Sequence, residues 1–139
     1  MGVNKFNSEG YYDPTPYEAL TNILREERKD RSYRPLVYVC SPYAGKVEEN
    51  MANARKYSRF AVDRGYIPVT PHLLLPQFMS EEDERDLIMF MDIVLLSKCA
   101  ELWVFGKEIS PCMSVEIDRA NRKGQPIRYF TEDLKEVTR

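Results

Sequence analysis

The sequence predicts an α/β protein, a parallel sheet with helices on both faces, and two observations lead there. From Leu36 onward, short apolar runs alternate with longer stretches of helical periodicity. Glycines close two of the helical stretches, Gly65 after one and Gly124 after another.

Taken in order, residues 1–13 are polar and glycine-containing and read as a loose arm. Pro16 then precedes YEALTNILREERKDR, where Tyr17, Leu20, Ile23 and Leu24 recur at helical spacing. An amphipathic helix is expected from about Thr15 to Lys29, packing against the core or a second subunit. The expected division is an arm and helix over 1–35 and an α/β domain over 36–139.

Within that domain LVYVC (36–40) reads as a buried strand running into the turn SPYAG (41–45). Residues 47–64 read as a helix with Met51, Ala54, Tyr57 and Ala61 on one face. YIPVTP (66–71) follows as a short strand, and HLLLPQFM (72–79) as an apolar loop or turn. Ser80, with Asp83 three residues later, resembles a capping box opening a helix to about Lys98. A strand over 101–105, a helix over 111–123, a strand PIRYF (126–130) and a short tail helix complete the chain.

Composition excludes several classes. At 139 residues the chain is long enough to bury roughly two thirds of its unfolded surface. Twenty basic against 22 acidic side chains give a net charge of −2, which points to neither nucleic acid nor an acidic membrane surface as partner. No stretch reads as a signal peptide or a membrane span, so a cytoplasmic protein is expected. Cys40, Cys99 and Cys112 have no metal-ligand spacing and read as free, structural thiols. With His72 the sole histidine, a multi-histidine metal site is impossible.

Ligands of parallel α/β folds bind where strands end and helices begin. In LWVFGKEISPCMSVE (102–116) an apolar strand ends at Gly106, a loop follows, and Ser110-Pro111 opens a helix carrying Glu116. The helical neighbours of Glu116 are Cys112, Met113 and Ala120, which set it on the border of the buried face. Helical side chains lean toward the N-terminus, which points Glu116 back at the Gly106–Ser110 loop. The plainer alternative is a boundary glutamate aided by the helix dipole.

Asp92 stands alone in LIMFMDIVLL, with Ile88, Met89, Leu95 and Leu96 three and four residues away. A carboxylate there must be paired, hydrogen-bonded or protonated, and Arg85 lies seven residues earlier as a possible partner. A structural ion pair or a subunit contact is the competing explanation. Ser41, Tyr43 and Gly45 occupy the turn after the first strand, and His72 follows the second. This turn is neither a P-loop nor a glycine fingerprint, so as a motif it is weak.

These pieces resemble a known family. On VYVCSPYAG, GYIPVTPH, the spaced Asp92 and LWVFGKEISPCMSVEI, the region Leu36–Phe130 resembles the nucleoside 2-deoxyribosyltransferase superfamily, including its 5′-monophosphate N-glycosidase branch. With its YYDPTPYEAL opening, the whole chain is similar to small bacterial or phage-type members. The resemblance implies a flavodoxin/Rossmann-like sheet of four to five strands and a homo-oligomer. It gives Glu116 the role of attacking the anomeric carbon, and it sets Ser41 and Ser110 at the substrate's 5′ end, which favours a nucleotide. Two positions depart from the family pattern. An aspartate common at the start of the strand before the Gly106 loop, and engaged in catalysis, is Ala100 here; Cys112 replaces a glycine. Glu101, beside Ala100, would point to the strand's other side.

The expected function is therefore cleavage or transfer at the N-glycosidic bond of a nucleoside or its 5′-monophosphate, with no metal or organic cofactor. Such chemistry needs a carboxylate nucleophile and an acid for the leaving base; Glu116 would be the nucleophile, with Asp92 assisting proton transfer or orienting Glu116. Tyr43 would border the base, Ser41 and Ser110 would hold the 5′ end, and Gly45, His72, Gly106 and Met113 would complete the contacts. One rival keeps the pocket without the chemistry, as a nucleotide-binding or sensing module. Another is a purely structural oligomer in which Asp92 is an interface ion pair.

Overall fold

The computed structural model describes residues 14–29 and 33–138, so the expected loose arm over 1–13 lies outside the described residues. The chain divides into two units, residues 1–33 and 34–139. In the first, α1 (Pro14–Lys29) forms where the periodicity predicts it, and the Thr21 hydroxyl donates to the Tyr17 carbonyl at 2.9 Å. Leu20, Ile23 and Leu24 are exposed on it.

The second unit runs β1 (Leu36–Cys40), α2 (Val47–Asp63), β2 (Ile67–Val69), α3 (Pro71–Leu74), α4 (Arg85–Ser97), β3 (Glu101–Phe105), α5 (Pro111–Lys123), β4 (Ile127–Phe130) and β5 (Glu136–Val137). The sheet order is β2-β1-β3-β4-β5, parallel throughout except for the last pair. After β1 the chain steps to one side to make β2, then crosses to the other side of β1 for β3. This reversal makes a doubly wound, Rossmann-like sheet and places its switch point between β1 and β3.

Strand periodicity builds two cores. Val37, Val39, Trp103, Phe105 and Phe130 face α2, where Tyr57 and Ala61 meet them. Tyr38, Cys40, Leu102 and Val104 face the opposite way, against Leu96, Met113 and Ala120 from α4 and α5. Strands covered on both faces need apolar side chains at every position, which is why LVYVC and LWVF do not alternate. No helix among the described residues is long and apolar enough to cross a membrane.

Four segments differ from expectation. Residues 72–79 are not an open loop: Pro71 starts the short α3, and a 3-10 turn over Leu75–Gln77 follows. The strand expected over 66–71 shrinks to Ile67–Val69. The Ser80 cap does form, its hydroxyl accepting from the Asp83 amide at 3.3 Å while its own amide donates to Glu84 Oε1 at 3.0 Å. That cap closes a separate turn, however, and α4 begins only at Arg85. The expected tail helix is absent; the tail turns back through Leu134, at φ +68°, and pairs as β5 on β4. So short a helix is marginal alone, whereas the tail strand gains a ladder and a two-pronged contact from Arg128 to Glu136, both bonds 2.8 Å.

Candidate active site

A cavity of about 100 Å³ opens where β1 and β3 end, at the switch point. Four segments wall it. Ser41 and Tyr43 come from the turn after β1, and Pro71 and His72 from the start of α3. Arg85, Ile88, Met89 and Asp92 come from one face of α4, with Glu81 just before it. Ser110, Cys112, Met113 and Glu116 come from the first turns of α5. Of the nine residues expected at the site, seven are brought together: Ser41, Tyr43, His72, Asp92, Ser110, Met113 and Glu116.

Gly45 and Gly106 stand apart. They line a neighbouring groove with Lys46 and Glu108. Both adopt positive φ, +92° and +97°, and a Cβ at either would meet nothing within 4 Å. The positive φ is what calls for glycine in both turns.

Local chemistry explains how α5 presents its residues. Ser110 is extended, and its hydroxyl accepts from the Met113 amide at 3.3 Å, so it caps the helix with Pro111 at the first helical position. Gly124 ends the helix at φ +70°. One turn in, Glu116 is fully buried, yet neither carboxyl oxygen has a hydrogen-bond partner. Burial pushes its pKa up to about 8; the nearby Tyr38 hydroxyl pulls it down and the Asp92 charge raises it. Tyr38 lies close enough to act on Glu116, but the two do not meet as an aligned hydrogen bond.

Asp92 is also buried, at 5 % exposure, and its Oδ1 is unpartnered. Burial, then the charge of Glu81, pushes it up to about 7. Arg85 shares the cavity wall but makes no ion pair with Asp92 among the described residues, so the expected pairing is not formed. The two carboxyl groups thus line one cavity from two helices with no ion pair to either among the described residues.

Ser41 Oγ and His72 Nε2 are further buried polar atoms without partners. Burial lowers the His72 pKa, partly offset by a hydrogen bond to the Ser41 backbone, so the imidazole is neutral near pH 7. Its ring stacks on Tyr43 at 5.6 Å between centroids. The cavity wall thus gathers five residues whose buried polar atoms have no partner within the protein, counting Tyr38 behind Glu116, and such groups are the ones a bound ligand can satisfy.

Ala100 lies elsewhere. Its amide donates to the Leu36 carbonyl at 2.8 Å, at the N-terminal end of both β1 and β3. The cavity is at the far end of β3, about 17 Å away at roughly 3.3 Å per residue. A carboxylate at position 100 could not reach it, so Ala100 is not a missing member of this site. Glu101 is committed on the α2 face, accepting from Tyr66 and from the Trp103 indole at 2.8 and 3.0 Å.

Sequence reasoning missed Tyr38 and Glu81; for Cys112 it favoured a structural thiol while noting that it replaces a glycine of the family pattern. Strand periodicity puts Tyr38 on the same face as Cys40, but what its hydroxyl meets depends on α5. Glu81 sits in the acidic run EEDE, which reads as a solvated turn.

Comparison with known proteins follows the geometry. The fold is similar to the 2-deoxyribosyltransferase of the psychrotolerant bacterium Bacillus psychrosaccharolyticus, with a TM-score of 0.57 and 17% identity over 75% of this chain and 77% of that one. At that identity the likeness is one of fold. No curated protein matches the chain. The family described as a domain of unknown function, DUF7768, matches residues 35–130, and the chain belongs to that family.

Proposed function

We propose that the cavity acts on the N-glycosidic bond of a nucleoside or nucleoside 5′-monophosphate, by hydrolysis or by transfer to a second base. The observation that carries this reading is the pair of buried carboxyl groups, Asp92 and Glu116, with unpartnered oxygens at one switch-point cavity. Glu116 as carboxylate attacks C1′, and the C1′–N bond breaks with its electron pair going to the base. Asp92 gives the base its proton. The resulting glycosyl ester on Glu116 is released by water, whose proton returns to Asp92, or by a second base.

The size of the cavity supports this division of labour. Pockets that enclose a whole drug-sized ligand run to roughly 300–1,000 Å³; a cavity of about 100 Å³ is smaller, which favours enclosure of the sugar and its scissile bond alone. The base then projects at the mouth, bordered by Tyr43. Ser41, His72 and Ser110 hold the 5′ end, and Met113 packs below the sugar. Gly45 and Gly106 take no part. The fold similarity to a 2-deoxyribosyltransferase agrees with a nucleoside-type substrate. In this reading residues 36–139 are the catalytic domain of a cytoplasmic homo-oligomer, with 1–35 as an accessory arm and helix. Exposed Leu87, Phe90 and Val94 on α4 offer the apolar surface that self-association needs.

The test is free-base release from a panel of deoxynucleosides and deoxynucleoside 5′-monophosphates, followed by chromatography beside Glu116→Ala. Release by wild type and none by the variant is the expected result. Tight nucleotide binding without release would instead mean a binding or sensing module.

A further inference from the structure

We propose that Cys112 is a modification site, where a mixed disulfide with a small-molecule disulfide of the oxidised glutathione class closes the cavity over Glu116. The inference needs the cavity and not the glycosidic chemistry.

Of the three free thiols, two are out of reach. Cys40 is fully buried and Cys99 is 6 % exposed. Burial pushes Cys99 up to about 12 and holds Cys40 well above its ordinary range, so neither forms the reactive thiolate near neutral pH. Cys112 is half-buried and lines the cavity. It sits in the first turn of α5, four residues before Glu116 on the same helix face, where side chains lie about 5–6 Å apart at Cβ. The cavity itself is built to receive a ligand: Glu116 and Ser41, fully buried or nearly so, both line it with unpartnered polar atoms.

The step is a thiol–disulfide exchange. The Cys112 thiolate attacks one sulfur of oxidised glutathione, the S–S bond breaks, and glutathione thiolate leaves and takes up the proton Cys112 released. Oxidant and reductant are therefore both accounted for. The tripeptide carried by the new bond is far larger than about 100 Å³ can hold. It must lie across the mouth, over the groups that face inward.

The experiment treats the full-length protein with oxidised glutathione and maps the adduct by peptide mass spectrometry. The 13C carboxyl resonance of Glu116 is then titrated before and after. The expected result is a single adduct on Cys112, an upward move of the Glu116 midpoint by about one pH unit as the cavity loses solvent, and reversal by dithiothreitol. C112S should take no adduct and show no move. Where base release is measurable, it should fall at least tenfold with the adduct. An adduct formed first on Cys40 or Cys99, or a Glu116 titration that does not respond, overturns the proposal. A protein that never releases base yet shows the midpoint move keeps this inference and loses the glycosidic one.

Discussion

The Tyr38 hydroxyl at the centre of β1 and the Glu116 carboxyl on α5 lie close together in the core, and none of their three oxygens has an aligned hydrogen-bond partner. The hydroxyl eases the upward shift of Glu116. Tyr38→Phe should therefore raise the Glu116 pKa further, read from its carboxyl resonance. Because the lost hydroxyl was unsatisfied, urea denaturation should show stability unchanged or higher by about 1 kcal/mol. A downward move of Glu116 would contradict this account.

Stability should fall as pH rises through the neutral range. Asp92 moves from 3.8 unfolded to about 7 folded, and Glu116 from 4.5 to about 8. Between those values the unfolded chain releases protons that the native protein keeps, so the contribution of these two groups is greatest below about pH 4, declines through the window and levels off above about 8. Glu116→Gln should flatten the decline and be more stable than wild type at pH 8 by about 1.4 kcal/mol or more, the worth of one pKa unit. Urea midpoints at pH 5, 6, 7 and 8 for the two proteins give the comparison.

The rate of base release should depend on pH in the opposite halves of the same range. Glu116 must lose its proton to attack, while Asp92 must keep one to give. The two acids titrate as a pair in which Glu116, at about 8, holds its proton more tightly than Asp92, at about 7, so the productive form is the minor singly protonated one and the profile should be a bell centred between about pH 7 and 8. Asp92→Asn should lose the alkaline limb, lower the Glu116 pKa by removing a neighbouring charge, and cut the rate by about 10²–10⁴-fold. A flat profile from pH 6 to 9 would sink the assignment of both roles.

The two serines should both matter for binding and differ in what they do for stability. Ser110→Ala removes the cap on the Met113 amide and should cost about 1 kcal/mol in denaturation. Ser41→Ala deletes a buried hydroxyl that has no partner within the protein, so the fold should hold while nucleotide affinity drops. Equal destabilisation by both would show that Ser41 has a structural partner.

Ala100→Asp should restore nothing. The position is exposed at the far end of β3 from the cavity. Base release should be unchanged and stability should stay within about 0.5 kcal/mol. A rise in rate would mean that the cavity is not the reaction centre.

What could be read from residues alone follows from how local each signal is. β1 and β3 were legible because strands covered on both faces must be apolar throughout. Asp92 was legible as buried because its helical neighbours three and four residues away, Ile88, Met89, Leu95 and Leu96, are all apolar. The tail was not, since TEDLKEV suits a helix until the free edge of β4 and the Arg128–Glu136 fork compete for it. Gly45 and Gly106 sit at the expected strand ends, but which side of the switch point a turn faces is decided by the crossing of the chain, not by the turn's own sequence. Tyr38 was hidden for a related reason: periodicity assigns a face and says nothing about whether a hydroxyl finds a partner there.

The two outermost strands of the sheet carry a last consequence. β2 is three residues long with Pro68, which has no N–H to donate, at its centre, and β5 is two residues long and carries Glu136. Edges so short, one interrupted by proline and the other charged, are poor templates for strand addition. Self-association by lengthening the sheet is thereby discouraged at both edges.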